Sequence, residues 1–322
     1  MRVVRIIGLL LGIVVGLAII AGAYIKIALP DTGDAPVLNI TKTPLRLERG
    51  KYLANHVAVC MDCHSTREWN LYAGPMAKAN IGGGGEVFNQ DMGFPGIFYA
   101  PNITPYAISN WTDGEIFRAI TTGVNKKGRA LFPLMAYHRF GKMDEEDIYS
   151  IIAYIRTLKA VSKDIPESKA EFPVSILINT MPAKAAFEKI PAATDLVKYG
   201  GYLVNAAGCV DCHSKHDKGK VVEGTEFGGG MEFQQPGGTV RATNITFHKT
   251  GLKDWKEEDF VKRFKVYADS GYRAAPLAKG ELNTPMPWFM FAGMQEKDLI
   301  AIYTYLKSIK PINNSVIRFE KR

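Results

Sequence analysis

The chain has 322 residues, enough for two domains of ordinary size. With 47% hydrophobic and 22% charged residues it has a globular balance, which excludes a disordered chain. Its net charge of +8 suits a membrane surface or an acidic protein partner, but the basic residues are dispersed, and without a basic stripe or motif nothing supports nucleic acid as a partner.

Ile6 to Ile25 is twenty residues without a charge, about 30 Å as a helix, the thickness of a bilayer's hydrocarbon core. Arg2 and Arg5 precede it, so the start stays cytoplasmic and the rest crosses. A single-pass anchor within residues 1–30 is expected. The competing reading is a removed signal sequence, because Ala21-Gly22-Ala23 has the small residues of a cleavage site. The length of the apolar run, and Tyr24 and Lys26 at the far interface, favour the anchor. Gly8, Gly12 and Gly16 lie four apart on one face and would admit a helix partner at close range. A tether, Pro30 to Pro44, follows.

The remainder repeats itself. Gly50–Ser65 (GKYLANHVAVCMDCHS) matches Gly200–Ser214 (GGYLVNAAGCVDCHS) with one residue fewer. Gly83–Phe88 resembles Gly228–Phe233, Asn102-Ile103-Thr104 recurs as Asn244-Ile245-Thr246, Trp111 recurs as Trp255, and Met143–Lys159 matches Met294–Lys310. So long a period means two copies of one domain rather than a solenoid. The domains are expected at 45–161 and 195–322. Between them, 162–194 carries Pro166, Pro173, Pro182 and Pro191, which favour an extended or turning linker.

Each copy reads as mainly helical. Helices are expected at Leu47–Cys60 and Leu196–Cys209, at Asp113–Thr122 and Lys256–Asp269, and at Asp144–Lys159 and Gln295–Lys310. The last pair is clearest: Ile148, Ile151, Ile152 and Ile155, like Leu299, Ile302, Tyr303 and Leu306, follow i, i+3, i+4, i+7. Gly50 and Gly200 should let the first helix of each copy cross the last closely, with Tyr154 and Tyr305 in that contact. The intervening Gly-, Pro- and Asn-rich loops are long for a helical domain and make sense if they wrap a cofactor.

All four cysteines fall in two copies of Cys-x-x-Cys-His. A disulfide framework would need more cysteines, a thioredoxin-like pair a strand–turn–helix setting, and a zinc site two Cys-x-x-Cys units much closer in sequence. Covalent haem attachment remains. Cys60 and Cys63, and Cys209 and Cys212, each add across the two vinyl groups of one haem, and His64 or His213 supplies an axial nitrogen. Two covalently bound haem c groups are expected.

The sixth ligand decides the chemistry. Met135 (LFPLMAY) and Met286 (NTPMPW) hold matching places just before the final helix of each copy, each followed two residues later by an aromatic, Tyr137 or Trp288. A matched pair is better explained as iron ligands than as core filler. Met143, Met290 and Met294 read as packing residues. His138 lies near Met135 and could displace it, but its equivalent, Phe289, cannot ligate. His56 reads as a partly buried helix residue, and His216 and His248 as surface or loop residues. Trp111 and Trp255 stand at helix starts, either beside a haem edge or as plain core residues.

These residues resemble the class I cytochrome c family, above all the membrane-bound cytochrome c subunits of bacterial alcohol and gluconate dehydrogenases. The pattern is Cys60–His64, Asn102–Pro105, Trp111–Glu115, Pro133–Tyr137 and Asp144–Leu158, then Cys209–His213, Asn244–Thr246, Trp255–Asp259, Pro285–Trp288 and Lys297–Ile309. The resemblance implies a mainly α fold of two tandem class I cytochrome c domains after a single N-terminal transmembrane helix. It also implies haem domains on the periplasmic side of the bacterial cytoplasmic membrane. In that family the carbonyl at the place of Pro101 accepts the axial histidine's N–H; Thr243 stands there in the second copy, and any residue can supply a carbonyl. Ala136 departs from the proline usual after the methionine. Those subunits often carry three haem domains and this chain has two, so their role does not carry over automatically. The function implied is electron transfer, not catalysis, from a quinol-oxidising complex or dehydrogenase to a downstream cytochrome or terminal oxidase. The alternative is a dihaem redox enzyme of the peroxidase or thiosulfate dehydrogenase type. It would need an open or unusual distal position, against which the matched Met135 and Met286 argue.

Overall fold

The uncharged run at the N-terminus forms α1 (Arg2–Ala28), none of whose residues is buried; it is long and apolar enough to cross a membrane. A Cβ on Gly8, Gly12 or Gly16 would have nothing within 4 Å, so that face is open. The computed structural model describes residues 2–217 and 219–321. After α1 the chain crosses a tether that is not loose. Ile40 N–H donates to Asp113 Oδ2 at 2.9 Å, and the Pro36 carbonyl occupies the space a Cβ on Gly114 would need.

The body has two halves built in the same order. The first contains α2 (Pro44–Tyr52), α3 (Cys60–Cys63), α4 (Pro105–Ile108), α5 (Asp113–Thr122), α6 (Tyr137–Phe140) and α7 (Glu145–Ile155). A connecting segment carries α8 (Val174–Leu177). The second half contains α9 (Leu196–Ala206), α10 (Cys209–Cys212), α11 (Glu257–Lys265), α12 (Trp288–Phe291) and α13 (Glu296–Ser308). Short strands complete each half. Antiparallel β1 (Val87–Phe88), β2 (Gly96–Tyr99) and β3 (Lys169–Ala170) pair in that order, as do β6 (Glu232–Gln235), β7 (Gly238–Arg241) and β8 (Phe319–Lys321). In both sheets the third strand comes from chain beyond the final helix. A separate hairpin joins β4 (His216–Asp217) to β5 (Lys220–Val221).

The helix crossing expected from glycine is present twice. α2 packs on α7 and α9 on α13. A Cβ on Gly50 would overlap the Ser150 carbonyl, and one on Gly200 the Ala301 carbonyl. Tyr154 and Tyr305 flank these crossings with their Cβ atoms. The predicted apolar stripes face inward: Ile148, Ile151, Ile152 and Ile155 are buried, as are Leu299, Ile302, Tyr303 and Leu306.

The helices leading into the motifs need correction. The expected Leu47–Cys60 helix begins at Pro44, capped by Thr43, and its regular part ends at Tyr52. A π-helical turn, Leu53–Val57, follows. The first copy has one residue more than the second between its tyrosine (Tyr52 or Tyr202) and its cysteine, and the wider turn absorbs it. Both helices then break before the cysteine, at Val59 (φ 45°) and Gly208 (φ 66°). Sequence periodicity carries no signal for a single left-handed residue. A β-branched residue there is strained, and glycine is not.

The halves dock through contacts related by a pseudo-two-fold axis. Tyr52 Oη donates to Asp298 Oδ2 (2.5 Å) and accepts from Gln295 N–H (3.1 Å). Tyr202 Oη donates to Asp147 Oδ2 (2.6 Å) and accepts from Asp144 N–H (3.2 Å). His56 Nδ1 meets Met290 O at 2.8 Å, while Asn205 Nδ2 donates to Arg139 O at 3.1 Å. These residues correspond between the copies, so one patch is used twice, as in an isologous dimer. A second, unsymmetrical contact joins the loop after the first motif to the chain before Met286. Tyr72 N–H donates to Ala275 O, Leu277 N–H to Asn70 O, and Ala73 N–H to Asn283 Oδ1.

Candidate haem sites

One helical turn separates the two cysteines of each motif, so Cys60 and Cys63 lie on one side of α3 and Cys209 and Cys212 on one side of α10. The histidine closes the turn: His64 N–H donates to Cys60 O (3.0 Å) and His213 N–H to Cys209 O (2.9 Å). Its ring is then fixed by a second bond. His64 Nδ1 lies 2.8 Å from Pro101 O and His213 Nδ1 2.8 Å from Thr243 O. A carbonyl oxygen can only accept, so Nδ1 carries the proton and Nε2 keeps its lone pair for a metal. Burial pushes both imidazole pKa values down, which keeps the rings neutral. Thr243 supplies the carbonyl as well as Pro101 does, as expected.

The repeated loop motifs place those carbonyls. Asn102 Oδ1 accepts from Thr104 N–H and Oγ1, while its amide donates to Val161 O and Lys163 O beyond α7. Asn244 repeats this with Thr246 and with Ile312 O beyond α13. Gly84 and Gly229 donate to the carbonyls of His64 and His213. A Cβ on either would stand about 2.6 Å or less from the 101–102 or 243–244 backbone, so only glycine fits. The serines that end CMDCHS and CVDCHS are fully buried, and Ser65 and Ser214 accept from Gly82 N–H and Phe227 N–H, both at 3.1 Å. Their recurrence in both copies was the available signal for this role.

All four thiols are free, and burial pushes each up to about 12. A redox dithiol needs the opposite shift, toward thiolate. Among the described residues no three His, Cys, Asp or Glu side chains converge on a common metal position. Cys60, Cys63 and Cys209 are half-buried and Cys212 is exposed, so both pairs keep surface that a ligand can reach. Two thiols one turn apart, beside an imidazole with a free Nε2, form the donor set that a covalently attached and axially ligated haem requires.

Met135 and Met286 lie on equivalent bends. Each carbonyl accepts from the residue two further on, Tyr137 N–H at 2.7 Å and Trp288 N–H at 2.8 Å. Ala136 (φ −71°, ψ 47°) adopts nearly the backbone of Pro287 (φ −79°, ψ 61°), so the missing proline leaves the bend unchanged. Both methionines are half-buried against the apolar core that Cys60 and Cys209 also touch. Met143, Met290 and Met294 are buried packing residues. His138 is exposed and lies 3.6 Å from Asp211, and His56 is engaged by Met290 O. His216 Nδ1 sits near Ser214 O and His248 Nδ1 near Thr250 Oγ1. Trp111 and Trp255 pack against the core; the Trp111 carbonyl accepts from Arg156 and the Trp255 carbonyl from Tyr303 Oη.

The residue between the cysteines matters too. Asp62 pairs with Arg67 of its own half at 2.8 Å, both largely buried. Asp211 pairs with Arg139 of the other half, 2.5 Å from Nη2. Arg139 lies four residues after Met135, so this ion pair ties the bend of the first site to the motif of the second.

No family model matches the chain. It is 28% identical over 278 residues to the fructose dehydrogenase cytochrome subunit of Gluconobacter japonicus, covering 82% of this chain and 52% of that protein. It is 26% identical over 283 residues to the alcohol dehydrogenase (quinone) cytochrome c subunit of Komagataeibacter europaeus, covering 83% and 56%. It is 26% identical over 280 residues to the gluconate 2-dehydrogenase cytochrome c subunit of Pantoea cypripedii, covering 82% and 59%. The chain thus spans about half the length of these relatives. Over most of its own length it is similar to the cytochrome c subunits of bacterial sugar, alcohol and sugar-acid dehydrogenases, the resemblance its motifs carry.

Proposed function

We propose that this chain is a membrane-anchored dihaem c-type cytochrome that transfers electrons and makes or breaks no substrate bonds. Two tandem class I cytochrome c domains, 45–161 and 195–322, follow an anchor in 1–30 and are joined by the linker 162–194. Cys60 and Cys63 would hold one haem and Cys209 and Cys212 the other, with His64 and Met135, and His213 and Met286, as the residues that would ligate the two irons. When bound, haem c supplies a one-electron couple at each site. The chain's own residues set the terms of that couple. Pro101 O and Thr243 O orient the two imidazoles and raise their basicity. The bends at 135 and 286 offer a weak sulfur ligand that favours electron transfer over ligand binding. The pseudo-two-fold docking supports transfer between the two sites within one chain.

The observation that carries this reading is the repeated setting of a cysteine pair beside a histidine whose Nδ1–H is held by a backbone carbonyl. Domains on the periplasmic face of the cytoplasmic membrane, a dehydrogenase or quinol-oxidising complex as donor, and a soluble cytochrome or terminal oxidase as acceptor complete the proposal. It is tested by the absorption spectrum of the oxidised protein. A weak red band from methionine–iron bonds is expected, roughly halved in Met135→Ala and again in Met286→Ala. Full band intensity in either variant, or cyanide uptake by the unmodified resting protein, would overturn the axial assignment.

A further inference from the structure

We propose that the linker segment 172–181 is a second membrane contact, lying in the lipid interface beside the end of α1. This rests on α1 being a membrane span. The uncharged part of α1 ends at Ile25, so Lys26 marks the level of the lipid headgroups. At that level α1 is not alone. α8 and the turn after it pack against its C-terminal end. There a hollow of about 370 Å³ is lined by Lys26 from α1, Leu29 just beyond it, Arg129 from the first half, and Ser175, Ile178 and Asn179 from the linker. The membrane plane that α1 defines therefore passes along the linker.

The linker's surface fits that position. Phe172 is 81% exposed and Leu177 43%, while Ile27 at the end of α1 is 83% exposed. Large apolar side chains gathered at one end of a spanning helix mark an interaction surface. The cations Lys26 and Arg129 beside them are placed for phosphate headgroups. The Arg129 guanidinium makes an exposed pair with Glu167 at 3.3 Å, a contact weak enough to exchange for a phosphate. A second copy or a partner subunit could also cover apolar residues, but continuity with α1 at the headgroup level favours lipid. Together with the tether fastened at Pro36 and Ile40, the contact would stop the first half from swinging about its anchor. It would hold residues 128–135, and so the Met135 bend, at a fixed height above the bilayer.

The test uses the full-length haem-loaded protein in nanodiscs of phosphatidylethanolamine and phosphatidylglycerol. The lipid is doped with a phospholipid carrying a photoreactive diazirine near its headgroup, and adducts are mapped by mass spectrometry. Adducts are expected on both α1 and 172–177. Phe172→Asp with Leu177→Asp should cut the 172–177 adducts at least fivefold while leaving α1 adducts and the absorption spectrum unchanged. Adducts on α1 alone would overturn this inference and leave the anchor intact. Adducts on 172–177 alone would overturn the anchor and, with it, the placement of the linker at the level of Lys26, and adducts on neither would overturn both.

Discussion

Asp62 and Asp211 hold the same place between the cysteines of their motifs, yet their charge is balanced from different directions. Asp62 is served from within its own half by Arg67, which also donates to Ala73 O and Gly74 O and stacks on Trp69 at 4.0 Å. Burial pushes Asp62 up to about 6 against the pull of Arg67, and the same guanidinium also lies near the buried Glu86. At Asp211 burial also pushes upward, but His138 and Arg139, both from the other half, outweigh it and bring the carboxyl down to about 2. The charge of the first motif's aspartate is therefore balanced within its own half. That of the second is balanced only when the halves dock. Equivalent positions in the two halves thus draw their counter-charge from different places.

The largest expected effect tests what the halves share. Gly50→Ala and Gly200→Ala should each destabilise the protein by about 3 kcal/mol or more, because the added methyl meets backbone rather than a side chain that could move. Chemical denaturation measures this, and a loss confined to one variant would break the equivalence of the crossings. Next come the ion pairs. Arg67→Gln leaves Asp62 unpaired at 6% exposure and should cost about 3 kcal/mol. Arg139→Gln should cost about 1 kcal/mol, since its partner is partly solvated. The Arg139 variant has a second readout. An unbalanced carboxylate beside the second site favours the oxidised, more positive iron, so that site's reduction potential should fall. Asp211→Asn alone should raise it, and the double variant should return it near the original value. A spectroelectrochemical titration in which both single variants shift the same way would show that the pair acts through structure alone.

The smallest effect concerns the final helices. Asp144 caps α7 by accepting from Glu146 N–H and also accepts from Ile190 N–H and Lys189 Nζ; its counterpart Gln295 makes no such side-chain cap. Burial would raise this carboxyl, but the backbone N–H of Ile190 leads a set of donors that lowers it below the usual carboxylate range. A depressed folded pKa gives stability that is present above the ordinary value near 4 and lost as pH falls through the depressed one. Asp144→Gln should therefore cost roughly 1 kcal/mol at neutral pH. The gap to the unmodified protein should close in melts run at progressively lower pH; a gap that persists in acid would mean the cap acts without its charge.

Much of the positioning machinery was legible because it is repeated. Asp113–Thr122 is a helix over the expected residues, and the paired glycines, Asn-Ile-Thr motifs and methionine bends all have equivalent surroundings. Features that depend on comparing the halves in space were not. Tyr52, Tyr202, Asp147 and Asp298 recur in both copies, but each pairs across the pseudo-two-fold rather than along its own helix, and periodicity reports only the latter. Strands of two to four residues are too short to show alternation. The π turn came from a single extra residue, visible in the sequence as a length difference but not as a conformation.

Each half is proposed to bind its own haem through both of its cysteines. Intact-mass spectrometry of the purified chain under denaturing conditions tests it most directly, since only covalently held groups survive. A mass increase of two haems is expected, falling to one in the Cys209→Ala, Cys212→Ala double variant with the first half's red band retained. A single haem on the unmodified chain, or none, would contradict it.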